Sequence, residues 1–189
     1  MLLALDVAFA HTGYILFGKG EVAKRAGVIV TEKSTNRLLR SSEDFVIRCS
    51  ALTEALEEII NWGGCDGIIA EIPTGGSKSS QAAHKMGGAV AVLAALTTIY
   101  KLPLENVSPN EVKIAVAGKR SASKTEIMRA VREHYEWEVI AKARGKKVFE
   151  QIKIPCEDKI FGTDEFEHIA DAAGAYWASR RNLLVRTFG

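Results

Sequence analysis

Proline and cysteine are scarce in this chain, with four prolines and three cysteines in 189 residues. Cys49, Cys65 and Cys156 are odd in number and far apart. They form none of the short paired spacings of a zinc site or a dithiol redox motif. They exclude a disulfide framework and fit a reducing cytoplasm. An excess of charge of one sign is missing too: 25 Lys and Arg stand against 23 Asp and Glu, a formal +2. So small a charge implies no polyanion partner by itself, and a nucleic-acid contact has to rest on where cations cluster. No run approaches the roughly 20 uninterrupted apolar residues of a membrane span. Met1 leads through Leu2–Leu5 directly to Asp6, without the basic lead and cleavage site of an export signal. The expectation is a soluble protein that is neither exported nor membrane-bound.

What is present is ordinary globular material, 47% hydrophobic and 25% charged, enough for one domain over 1–189 to bury its own core. Short β-rich runs at 2–8, 12–18 and 26–31, broken by Gly18-Lys19-Gly20, predict a three-stranded antiparallel meander. Phe45, Cys49, Leu52, Leu56, Ile59 and Ile60 then recur at steps of three and four up to Gly63-Gly64, predicting an amphipathic helix. A short buried strand at 67–72 precedes a Gly/Ser loop and a long Ala-rich helix over 81–100. Another strand at 104–107 is followed by helices near 109–116 and 123–135, the latter with Ser123 as cap and Glu126 three residues on. Residues 138–164 show no clean period and read as a mobile or hairpin-like insertion. A last helix runs from about 164 to 180. Three antiparallel strands followed by alternating helices and strands imply an α/β fold, a five-stranded mixed sheet with helices on both faces.

Cations gather in three places: Lys113, Lys119, Arg120 and Lys124; Lys142, Arg144, Lys146 and Lys147; and Arg180, Arg181 and Arg186. Taken singly, each group reads as solvated surface charge. The acids are more telling. Asp6 ends the apolar run Leu2-Leu3-Ala4-Leu5, and Glu71 ends Gly67-Ile68-Ile69-Ala70. A carboxylate on a buried strand is costly unless a cation or several donors meet it. On the final helix His168 and Asp171 are three apart and share a face next to the apolar stripe of Phe166, Ile169, Ala170, Ala173 and Trp177. Asp, Glu, His and Asp together offer hard oxygens and one imidazole, a set suited to magnesium or manganese. Two such ions about 4 Å apart can activate water and stabilise a leaving 3′-oxygen in phosphodiester hydrolysis.

The opening LALDVAFAHTGYILF, the strand IIAEIP, the segment VSPNEVKIAVAGKRSASKTEIMRAV and the closing EHIADAAGAYWAS together resemble the RuvC family of Holliday-junction resolvases. The resemblance covers most of the chain in order. It implies an RNase H-like fold and a crossover junction endonuclease that uses Mg2+, replaceable by Mn2+, two ions per site. It makes Asp6, Glu71, His168 and Asp171 the metal-binding catalytic set. Lys113 and Lys124 match two functional lysines, with Lys124 acting near the scissile phosphate. Val7-Ala8 stand where the family has Pro-Gly. The loop after Glu71 has no aromatic and looks more like those of bacteriophage relatives, which are implied to cut a broader range of branched DNA. In that loop Lys78, Ser79 and Ser80, and further on Lys119 and Arg120, are candidate DNA contacts. The setting implied is the cytoplasm of a bacterium or of a phage-infected host.

Two other classes fit parts of the pattern. An actin-like or sugar-kinase ATPase opens with a similar strand but needs a second lobe and a second phosphate loop, and neither is found. A non-catalytic DNA-binding scaffold of the same fold would not need all four ligand positions. Because a four-way junction has near two-fold symmetry, a homodimer is expected. Its candidate surface is the small-residue helix carrying Ala82, Ala83, Gly87, Gly88, Ala91, Ala94 and Ala95.

Overall fold

Alternation along the first strand sets up two layers. In β1 (Leu2–Asp6), Leu2 and Ala4 enter one core while Leu3 and Leu5 enter the other, as expected of a central strand covered on both faces. A computed structural model describes residues 1–73, 79–144, 147–156 and 159–189. β1 pairs antiparallel with β2 (His11–Gly18), which pairs antiparallel with β3 (Val22–Val30). On its other side β1 pairs in parallel with β4 (Gly67–Glu71), and β4 with β5 (Leu104–Val107). The order β3-β2-β1-β4-β5 is the mixed five-stranded sheet expected from the sequence.

On one face lie α1 (Ser41–Gly63) and α2 (Ser80–Tyr100). Leu52, Leu56, Ile59 and Ile60 of α1 and Ala89, Val92, Leu93 and Leu96 of α2 meet Leu3, Leu5, Leu16 and Ile68 there. By length and composition α2 could cross a membrane, a property the sequence reading did not assign to it. Here its buried stripe packs on this core, and its other face carries exposed Ala82, Ala83, Gly87, Ala91, Ala94 and Ala95.

The opposite face is built by α3 (Pro109–Ala117), α4 (Lys124–His134), α5 (Thr163–Ala178) and α6 (Leu183–Phe188). α5 is buried nearly all round, because its run of Ala170, Ala172, Ala173, Gly174 and Ala175 lets sheet and helices close on it from several sides. A Cβ at Gly174 would lie 2.8 Å from Val112 of α3.

Within 138–164 the chain forms a second antiparallel sheet, β6 (Glu138–Arg144), β7 (Lys147–Lys153) and β8 (Ile160–Gly162). Ile152, Ile154 and Phe161 anchor it in the α5 core. Ile152 is buried while its cross-strand partner Val139 is 39% exposed, so burial here does not follow one face of a strand and leaves no clean alternation in the sequence.

Candidate active site

Strand parity places the first two acids. Asp6 is two residues beyond Ala4 and Glu71 two beyond Ile69, so both point to the face that holds α5. The parallel pairing of β1 and β4 sets Asp6 directly beside Glu71. Across β1 the register partner of Asp6 is Gly13. A Cβ at Gly13 would sit 2.1 Å from the carbonyl oxygen of His168, so only glycine lets α5 come this close to the sheet. Thr12 fixes the turn before it, donating from its hydroxyl to the Ala8 carbonyl at 2.5 Å. The Thr-Gly pair is thus what seats α5 over the acids.

On α5, His168 Nδ1 meets Asp6 Oδ2 at 2.9 Å, and this bond raises the His168 pKa above its usual value, with burial opposing. Glu167, one residue earlier, accepts a hydrogen bond from Lys124 Nζ, which raises the lysine pKa in turn. Burial pushes Glu71 up to about 8, with the charges of Asp171 and Asp6 adding to it and Lys113 opposing. Burial likewise pushes Asp171 up to about 7, reinforced by Asp6 and Glu167 and opposed by Lys124 and His168. The site is therefore a set of half-buried acids that destabilise one another's charged forms, with two lysines at its border.

The lysines owe their places to helix starts. Ser108 and Glu111 form a capping box that begins α3, Ser108 N donating to Glu111 Oε2 at 2.7 Å, and Lys113 follows one turn in. Ser123 and Glu126 do the same for α4, at 2.8 Å, and put Lys124 at its first position.

Other expected contacts are not brought to the acids. Lys119 Nζ pairs with Glu126 Oε1 at 2.5 Å, and Arg120 is exposed in the α3–α4 turn. Ser79 caps α2, accepting from Ala82 N at 3.1 Å, and Ser80 is the exposed first residue of that helix. Lys78 and Lys146 lie outside the described residues. Lys142, Arg144 and Lys147 fall on β6 and β7. Arg180 is engaged by Glu21, its Nε donating at 2.8 Å, and the ends of α4 and α5 are tied to the β2–β3 turn by it.

Two side chains belong to the neighbourhood that sequence reasoning did not place in the site. Glu167 holds Lys124, and exposed His11 lays its ring parallel to that of His168, centroids 5.6 Å apart at 7°. For Glu167 the signal was there, since a glutamate opened the EHIAD motif. For His11 there was none, because the face of a strand's first residue follows from register alone.

Among the described residues no three His, Cys, Asp or Glu side chains are gathered closely enough to hold an ion as they stand. The donor chemistry nevertheless fits a hard divalent cation. Three half-buried carboxylates raise one another's pKa values, two of them strongly, and a cation is what lets such groups ionise together.

No family model matches the sequence, and no curated protein matches it. Solved structures do. The chain is similar to Thermus thermophilus RuvC in complex with a Holliday junction substrate, with TM-score 0.65 and 17% identity over 99% of this chain and 96% of that one. RuvC of the same organism on its own gives TM-score 0.64 at 16% identity, covering 99% and 97%. The yeast mitochondrial Holliday junction resolvase Ydc2 gives TM-score 0.54 at 14% identity, covering 99% and 84%. The chain shares the fold of RuvC and Ydc2 over nearly its whole length.

Proposed function

We propose that this protein is a metal-dependent, structure-selective endonuclease that hydrolyses phosphodiesters in branched DNA, four-way junctions above all, and works as a homodimer in the cytoplasm. The observation that carries the reading is the pairing of Asp6 with Glu71 in strand register, facing the helix that bears His168 and Asp171, on a fold shared with junction resolvases.

Asp6, Glu71, His168 and Asp171 would hold Mg2+ or Mn2+, two ions being the expected complement. The bound metal would supply an activated water and charge stabilisation at the leaving oxygen. The protein's own groups do the rest. Asp6 orients the His168 ring through Nδ1. Lys124, 71% exposed on its side chain and held by Glu167, presents a cation beside the acids where phosphate charge develops. The charge of Lys113 opposes the raised pKa of Glu71 and offsets part of the local negative charge that would repel a DNA strand. The α2 face of small residues supports a two-fold partner.

The test is a cleavage panel of four-way, three-way, flap and linear duplex DNA in magnesium, run beside Asp6→Asn. Metal-dependent nicking of branched forms that Asp6→Asn lacks supports the reading. Tight junction binding with no nicking under any metal would make the chain a scaffold, and cleavage of linear duplex at an equal rate would remove the structure selectivity.

A further inference from the structure

A run of stacked groups stands at the end of the sheet where the acids lie, on the α1–α2 side. The Arg48 guanidinium carbon is 4.5 Å from the Phe9 ring centroid, Phe9 stacks on Phe45 at 4.8 Å and 12°, and Phe45 meets His84 at 4.2 Å and 31°. Phe9 lies three residues beyond Asp6, in the connection to β2. Its carbonyl accepts from the Thr31 hydroxyl, and Arg48, 7% exposed, donates to the Thr31 carbonyl at 2.6 Å. The base of the run is therefore fixed to β3 and α1. Its outer member is not covered, since Phe45 is half-buried and His84 is exposed.

The position of Phe45 has a specific cause on α2. A Cβ at Gly88 would lie 2.4 Å from Phe45 Cζ, so this glycine makes room for the ring to slot in beneath His84, one turn earlier on the same helix. α2 has no acidic residue along its 21 positions and carries His84 and Lys85 near its start, while Glu43 and Asp44 precede Phe45 on α1. A flat, pre-set ring on an acid-free helix end complements a strand with phosphates outside and bases free to stack.

We propose that His84, backed by Phe45 and Phe9, is a stacking site for an unpaired nucleobase of the bound DNA. The inference rests on the nuclease reading above, and it assigns a nucleotide contact to a part of the molecule outside the acid cluster. The stacked rings hold the imidazole plane before DNA arrives, so little side-chain entropy is lost on contact.

The test uses the cleavage-inactive Asp6→Asn protein with a four-way junction carrying 2-aminopurine at the branch point, and a duplex of the same sequence. Adding His84→Ala should weaken junction binding on the order of tenfold, abolish the binding-induced change in 2-aminopurine fluorescence, and leave duplex affinity as it was. His84→Tyr should restore both junction effects. Junction affinity and fluorescence unchanged in His84→Ala would overturn the proposal, and so would a lowered sedimenting mass, which would make His84 part of a subunit contact. If the His84-bearing protein binds no junction at all, the nuclease reading falls with it; normal junction binding that ignores His84→Ala removes the stacking site alone.

Discussion

Carboxylates placed side by side under a buried helix cost folding free energy unless something positive comes between them, and Glu71 and Asp171 record that cost in pKa values near 8 and 7. For an acid whose pKa is raised by folding, the folded form holds its proton more tightly than the unfolded one. The stability it contributes is complete below the ordinary carboxylate range and is lost as pH rises through 7 to 8. In chelator the protein should therefore lose melting temperature between about pH 5 and pH 8. At pH 8, Glu71→Gln or Asp171→Asn should each raise Tm by several degrees, on the order of 1–3 kcal/mol, while abolishing cleavage and sparing junction binding. Magnesium should raise the Tm of the parent protein and not that of a protein carrying both Glu71→Gln and Asp171→Asn. A pH-independent Tm in chelator would mean that the acids are solvated and do not form a metal site. His168 acts in the same direction, and it too must lose its proton before it can ligate a metal. Its bond to Asp6 keeps the ring protonated to a higher pH than the usual value of about 6.5. Cleavage should fall on the acid side with a midpoint above that value, and His168→Asp should retain activity with the limb moved lower. An acid limb that stays in place in His168→Asp belongs to another group.

At the scale of elements, a single glycine controls how α5 meets the sheet. Gly13→Ala puts a methyl where the His168 carbonyl stands, 2.1 Å away, with backbone on both sides and no flexible side chain to yield. The substitution should cost about 1–3 kcal/mol, as other overpacked core sites do, and displace His168 and Asp171 together. A Tm within 2 °C of the parent, or about 1 kcal/mol for a chain of this size, with full cleavage would show that α5 does not need that approach. The Thr-Gly pair was visible in the sequence as a motif, whereas its reason appears only when β2 and α5 are seen together. The same division runs through the fold. Strands β1 to β5 and the starts of α3 and α4 were legible because short apolar runs between breaks, the helix-opening Pro109 and the Ser123–Glu126 spacing are local signals. Arg48 was not: it sits inside an apolar helical stripe, and its burial depends on Thr31 and Phe9 from distant segments. Nor was α6, a six-residue helix whose Leu184 and Val185 complete the α5 core from a stretch that reads as a basic tail. Asp6 and Glu71 were legible as misplaced charges on apolar strands. Their register beside each other was not, because pairing between β1 and β4 is a long-range fact.

For the whole molecule the largest consequence lies in the exposed face of α2. The helix is apolar enough to span a membrane by composition, yet only 28% of its most apolar window is buried in the chain. The exposed Gly87, Ala91, Ala94, Ala95 and Thr98 repeat at steps of three and four along one side. Gly88, by contrast, is required by Phe45 and so is no part of that surface. A helix face of small side chains permits close backbone approach by another helix. On the proposed reading, a junction with two matched strands to cut calls for a second copy related by two-fold symmetry, which would deliver one acid cluster to each strand. Sedimentation at micromolar concentration should then give about twice the 20.6 kDa chain mass. Ala91→Trp, which places an indole at the centre of the stripe and leaves the core side of α2 untouched, should yield a folded monomer with the parent's near-ultraviolet circular dichroism apart from the added indole. That monomer should nick a junction on one strand without the paired second cut, and it should bind junctions more weakly while handling single flaps as before. Paired cuts made by a protein that sediments as a monomer, or a parent protein that remains monomeric when bound to a junction, would sink the two-fold arrangement and leave the exposed face of α2 to another partner.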